Sequence, residues 1–335
     1  MPKLEAFLER TYREAISQQS LPENFIEGAT NLRNGLRRSL GEFPSVAPSL
    51  HRSIVERKEF ETYIRERIVI QADEDLSIPV YVLTPRSGAE TYPAVLAVHG
   101  HGYGSREIVG LTPEGDEDTS TPSIHQHFAV QLVNRGMKVF APEVVGFGDR
   151  ILECDRARNI GCSCNILSKQ LLLAGKTLAG LRVHEALRVI DVMLEYRDVA
   201  RERLGAMGFS GGGLIAAYAS ALDDRIHATV LCGFTNTFKG SIIEHDHCID
   251  NYIPGILKEA ELPDLIGLIA PRKLFIESGE EDPIFPVDGV NQAMARLQAI
   301  YSQQQAKDRL SYDIFAGNHE ISGKKSYDWL LKSLT

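Results

Sequence analysis

The chain of 335 residues predicts an α/β fold in which a mostly parallel sheet is covered by helices on both faces. Three observations lead there. Short, continuous apolar runs such as Tyr92-Pro93-Ala94-Val95-Leu96-Ala97-Val98 suit strands buried on both sides. Helical stretches stand between those runs, the alternation that parallel strands with crossover helices require. The glycine-rich segment Gly208-Phe209-Ser210-Gly211-Gly212-Gly213 lies where a strand ending at Met207 gives way to helix-forming Leu214 to Ala219.

Taken in order, residues 1–60 read as a helical extension. Leu4, Phe7, Leu8, Tyr12 and Ala15 recur at helical spacing, and 31–40 repeats it with Arg33, Arg37 and Arg38 between. The three arginines suit a solvated helix face. The proline-bearing stretch 41–48 breaks the pattern. The strand-like segments 67–71 and 78–83, separated by Asp73-Glu74-Asp75, predict an antiparallel hairpin. Beyond them the order is a strand at 92–98, a helix at 124–135, a strand at 137–142, a long leucine-rich helix at 168–196, and the strand leading to Ser210. Three further strands follow at 227–232, 272–277 and 310–315. Residues 61–335 read as one catalytic domain.

The composition is that of a globular protein, with 43% hydrophobic and 24% charged residues. A net charge of -9 argues against nucleic acid and anionic membrane surfaces as partners. Five cysteines, an odd number in a large chain, argue for reduced thiols. The first ten residues are charged throughout and do not resemble a leader. No run approaches the ~20 apolar residues of a membrane helix. These features together predict a cytoplasmic protein, and the N-terminal helices offer a surface for homo-oligomer contacts.

Functional residues of a parallel sheet collect at the carboxyl ends of its strands. Three stand there: Ser210, Asp282 in Ser278-Gly279-Glu280-Glu281-Asp282-Pro283, and His319 in Ala316-Gly317-Asn318-His319. A serine hydroxyl needs a base within hydrogen-bond reach. Histidine titrates near neutrality and can take and return the proton. A carboxylate holds the imidazole in the right tautomer; Glu280, Glu281 and Asp288 compete with Asp282 for that role. A developing oxyanion requires N–H donors already in place. One comes from Gly211, next to the serine. The other comes from His99-Gly100-His101-Gly102, with His101 first and Gly102 second.

These residues resemble the dienelactone-hydrolase-like and acetyl-xylan-esterase-like group of α/β-hydrolases. The resemblance rests on His99-Gly100-His101-Gly102, Gly146-Phe147-Gly148-Asp149-Arg150, Gly208-Phe209-Ser210-Gly211-Gly212 and Tyr252-Ile253-Pro254-Gly255. Ala270-Pro271-Arg272, Gly279 to Pro286 and Gly317-Asn318-His319 complete it. It spans about residues 60–335 and implies an eight-stranded, mostly parallel sheet and a serine esterase mechanism without metal or organic cofactor. Dienelactone hydrolases proper carry a cysteine where this chain has Ser210, which favours ordinary carboxylic esters as the small-molecule substrate. A serine peptidase and a non-enzymatic binding protein on the same fold are the competing readings.

Other polar clusters receive plainer readings. His245-Asp246-His247-Cys248 lacks the spacing of a structural zinc site and reads as a pocket loop. Tyr103, Phe234, His247 and Tyr252, with Phe238, are expected to shape the substrate site. Cys162-Ser163-Cys164 reads as a loop of reduced thiols. His125 and His127 read as surface or capping residues at a helix start. The acidic loop 112–121 reads as solvated.

Overall fold

The computed structural model describes residues 3–19, 24–43, 52–73 and 75–335. Their centre is a nine-stranded sheet in the order β1-β2-β3-β5-β4-β6-β7-β8-β9. The strands are β1 (Arg52–Glu59), β2 (Tyr63–Asp73), β3 (Leu76–Pro85), β4 (Tyr92–Val98), β5 (Lys138–Pro142), β6 (Val199–Phe209), β7 (Ala228–Cys232), β8 (Lys273–Gly279) and β9 (Leu310–Phe315). β1, β2, β3 and β5 pair antiparallel, and from β5 through β4 to β9 every pairing is parallel.

The period of two along a strand divides the core between the faces. In β4, Ala94, Leu96 and Val98 join one cluster of buried side chains, together with the helices Phe25–Leu40, Leu178–Met193 and Gly211–Leu222. Val95 and Ala97 face the other cluster, with the helices Phe128–Val133 and Ser326–Leu334. This matches the expected fold class. No helix among the described residues is long and apolar enough to cross a membrane.

Three expectations change. The sheet has a ninth strand, β1, inside the segment expected to be helical. All eight of its residues are exposed, so no inward-facing apolar row marked it in the sequence. It is a charged edge strand, registered by cross-strand pairing with β2, including an Arg57–Glu66 ion pair at 3.0 Å. The helix expected at 168–196 is two helices, Cys164–Leu173 and Leu178–Met193, broken at Gly175 with φ 71°. The helix expected from 124 begins at Phe128, because Gln126 and His127 both take positive φ. The break expected at 41–48 lies outside the described residues from 44 onward, as does Glu74 in the β2–β3 turn.

Of the two N-terminal helices, α1 (Leu4–Ile16) buries no side chain and is tied down by polar contacts, such as Tyr12 hydroxyl to Glu261 at 2.9 Å. The second, α2 (Phe25–Leu40), inserts Phe25, Leu32, Leu36 and Leu40 into the main core. Arg33, expected in solvent, instead donates to the carbonyls of Ala221 and Leu268, each at 3.0 Å, where two helices end. It satisfies carbonyls that a helix leaves unpaired at its C-terminus. Leu36 is fully buried, so Leu36→Ala is expected to cost about 3 kcal/mol through the cavity it leaves. Urea denaturation checks this; a variant as stable as the parent would mean that α2 is not integral to the core.

Candidate active site

β6 runs into Ser210, and the helix Gly211–Leu222 starts at the next residue. Ser210 has φ 54° and ψ -121°, a backbone region that costs a non-glycine residue about 1–3 kcal/mol. Close packing maintains it. A Cβ on Gly212 would stand 2.1 Å from the carbonyl oxygen of Val98, and one on Gly208 would stand 2.1 Å from that of Gly212. The glycines let the helix lie on the ends of β4 and β6, and the chain makes the turn within one residue. The Ser210 N–H donates to the Cys232 carbonyl at 2.9 Å, fixing the turn to the neighbouring strand.

His319 lies beyond β9 and Asp282 beyond β8, and the structure brings them together. His319 Nδ1 is 2.7 Å from Asp282 Oδ2. Asp282 is buried, and its Oδ1 accepts from the N–H groups of Ile284 at 3.0 Å and Phe285 at 2.9 Å. Burial alone would raise this carboxyl. The His319 bond and the two backbone donors outweigh it and hold the group below the usual carboxylate range. An ionised Asp282 puts the imidazole proton on Nδ1 and leaves Nε2 as the basic nitrogen. The ring is packed between Phe209, 4.8 Å away, and Phe285, 5.7 Å away and nearly parallel. Glu280, Glu281 and Asp288 are exposed, so of the four acidic candidates only Asp282 meets the histidine.

Ser210, Gly211, His101 and His319 line one cavity of about 200 Å³ with Ile124, Phe285 and His247. The Gly211 N–H precedes the first intrahelical hydrogen bond, and neither it nor the His101 N–H meets an acceptor among the described residues. The loop bearing His101 is anchored by buried histidines. The Gly100 N–H donates to His125 Nε2 at 3.1 Å, and His125 Nδ1 stands 3.0 Å from Glu107. His99 Nε2 accepts from the Val144 N–H at 3.1 Å, and its Nδ1 is 2.7 Å from the Gly100 carbonyl. Glu107 also accepts from the Tyr103 N–H at 3.1 Å and the Ser123 hydroxyl at 2.6 Å.

His125 thus corrects its sequence reading. It is fully buried beneath the His99–Gly102 loop rather than on the surface. The acidic loop is also corrected in part: Glu117 pairs with Arg65 at 2.6 Å and Lys58 at 2.7 Å, while 113–116 is exposed. Among the expected substrate residues, His247 lines the serine cavity. Tyr252 and Phe238 line an adjoining apolar cavity of about 700 Å³, which shares His247 and Asn251 with it. Phe234 lies below the site, buried against Phe285. Tyr103 lies outside both cavities, its hydroxyl donating to the Leu111 carbonyl at 3.0 Å. The Gly146–Arg150 motif is a brace: Asp149 binds Arg67 and Arg106, and Arg150 forks onto Glu185 at 2.6 Å.

The side chain of His101 lies beside Asp250, with Nε2 3.4 Å from its Oδ2. Its Nε2 reaches a cluster of Cys164, Cys248 and Asp250. Hydrogen bonding among the thiols lowers Cys162 and raises Cys164. Of the segment 245–248, only Cys248 belongs to this group.

A serine at a strand–helix elbow and a carboxylate–histidine pair at the ends of two later strands, β8 and β9, define an α/β-hydrolase. The chain belongs to that class: the Abhydrolase family model matches residues 6–296. A Bacillus subtilis (strain 168) relative, "Putative hydrolase YtaP", is 31% identical over 284 residues, covering 82% of this chain and 89% of its own. Among solved structures, a "putative acetyl xylan esterase" from Bacteroides fragilis NCTC 9343 superposes with a TM-score of 0.74 at 18% identity, over 89% of this chain and 77% of that one. A glucuronoyl esterase from Solibacter usitatus gives 0.64 at 16% identity, over 91% of each.

Burial lowers the imidazoles of His101, His125, His184 and His247. Unfolded histidine titrates near pH ~6.5, so just below that pH the unfolded chain holds more protons than the native one. Stability is therefore expected to fall between pH ~7.5 and ~5.5. Glu277 and Asp264, raised by burial, pull the other way but number two against four. Urea midpoints at the two pH values check the sign, and a higher midpoint in acid would contradict it.

Proposed function

We propose that the protein is a serine esterase acting on carboxylic esters with a short acyl group. Ser210 Oγ attacks the ester carbonyl while His319 Nε2 takes its proton. Asp282 keeps the imidazole oriented and stabilises its charged form. The N–H groups of Gly211 and His101 receive the oxyanion. His319 then protonates the departing alcohol. Water enters, gives its proton to the same nitrogen, and releases the acid from Ser210. The observation that carries this reading is the 2.7 Å Asp282–His319 pair opening onto the same cavity as the strained Ser210. The esterase names of the structural neighbours agree with it, as does the hydrolase name of the B. subtilis relative.

The cavities support a division of the substrate. The space at Ser210, about 200 Å³, suits an acetyl or propionyl group. The adjoining apolar cavity, formed by Phe238, Ile242, Ile249, Tyr252 and Ile253 among others, suits an apolar alcohol portion. Burying apolar surface there contributes about 25 cal/mol per Å².

Ser210→Ala is expected to lower kcat on an aryl acetate by at least ~10³-fold and to abolish labelling by a fluorophosphonate, with the circular dichroism spectrum retained. Retained activity or labelling would remove Ser210 from its role. Asp282→Asn is expected to cost about 10⁴-fold in kcat by reversing the tautomer of His319. On a series of aryl esters, kcat/KM is expected to be highest for acetate and propionate; a maximum at octanoate would refute the acyl assignment.

A further inference from the structure

Beside the serine cavity, four potential metal-ligand atoms converge from three separate segments. His101 belongs to the loop after β4, Cys164 opens the helix Cys164–Leu173, and Cys248 and Asp250 lie in the loop between β7 and β8. Their donor atoms all lie within 4.8 Å of one another. His101 Nε2 is 3.4 Å from Asp250 Oδ2, Cys164 Sγ is 3.5 Å from the same oxygen, and Cys164 Sγ is 4.0 Å from His101 Nε2. A tetrahedral zinc ion with ordinary bond lengths separates its ligands by roughly 3.3–3.8 Å. The three measured edges need to change by only a few tenths of an ångström.

The surroundings are built for such a group. Cys164 and Asp250 are buried. Arg182, also buried, donates to Cys164 Sγ at 3.2 Å and to Asp250, and its guanidinium is fixed by bonds to the Val145 carbonyl at 3.2 and 3.0 Å. Asp250 Oδ1 accepts from Asn251 Nδ2 at 2.9 Å, so its second oxygen is also held. Two thiolates and a carboxylate carry three negative charges. A divalent cation and Arg182 together carry three positive ones, so the half-buried group is neutral. A buried charge cluster is tolerated when it balances in this way. Metal-bound thiolates and carboxylates are commonly held by just such outer hydrogen bonds.

We propose that His101, Cys164, Cys248 and Asp250 bind a zinc ion that ties the oxyanion loop to the two loops beside it. Binding converts the two thiols to thiolates and releases their protons to solvent. Ligation through Nε2 leaves the ring proton of His101 on Nδ1. That edge of the ring faces the helix start: a Cβ on Gly211 would stand 3.3 Å from Nδ1. The ion therefore fixes both the position of the His101 backbone and the tautomer of a side chain lining the serine cavity. The site does not depend on Ser210 being a nucleophile.

The protein is to be produced with zinc in the medium, purified without chelator, and its metal measured by mass spectrometry. About one zinc per chain is expected. Cys164→Ser and Cys248→Ser are each expected to lose it, and Cys154→Ser, at an exposed cysteine outside the cluster, to retain it. Should the two ligand variants fail to fold, the parent still decides. Cobalt(II) reconstitution should give the absorption of a tetrahedral thiolate site, and thiol reagent should reach two more cysteines once a chelator has removed the metal. Zinc below about a tenth of an equivalent after titration, with no cobalt–thiolate absorption, overturns the proposal. So does retention of zinc in both ligand variants, or a disulfide within the cluster in the purified protein.

Discussion

The close approach of one helix to the sheet constrains everything around the site. Gly212 lies against the carbonyl end of β4 and Gly208 against Gly212, at distances where any Cβ would collide. Backbone thus packs on backbone, and the only way from β6 into the helix is a one-residue turn at positive φ. The strain at Ser210 is sustained by burial on both sides, since the helix Gly211–Leu222 is buried along nearly its whole length. The same contact exposes the first N–H of that helix beside the serine and brings the end of β4, with its His99–Gly102 loop, alongside.

A second layer holds that loop. Its backbone is read by His99 and His125, which are in turn held by the Val144 N–H and Glu107. His99 and His125 each hold the loop through one ring nitrogen, so losing either ring would leave a buried backbone N–H without its acceptor. The arginine brace at 146–150 continues it outward, linking β2, the short helix Ser105–Ile108 and the helix Leu178–Met193 through Asp149 and Arg150. The residues that carry the proposed chemistry are few, but they rest on these two layers of hydrogen-bonded structure.

Much of this was legible in the amino-acid order. Strands buried on both faces announce themselves as continuous apolar runs, and β4 has the expected limits. Ser210, Asp282 and His319 each stand just past a strand, so topology alone sends them to one edge. Other features left no local mark. β1 is a charged edge strand whose pairing lies in β2, and its composition says nothing about that. His125 follows a loop of polar residues and looks like a surface histidine, yet its partners, Gly100 and Glu107, are 25 and 18 positions away. Tyr103 and Phe234 have the right residue types next to the right strands but point to the Leu111 carbonyl and the core.

The sequence by itself determined the class of fold, the order of its main strands and the placement of Ser210, Asp282 and His319 just beyond strand ends. These follow from patterns local to a dozen residues, where period and turn chemistry dominate. Tertiary structure decided which of four acidic residues meets His319, which aromatic rings line a cavity, and that two cysteines, a histidine and an aspartate from distant segments converge on one point. Such choices depend on side-chain direction and on loops packing against one another, and neither is encoded at the spacing of neighbouring residues.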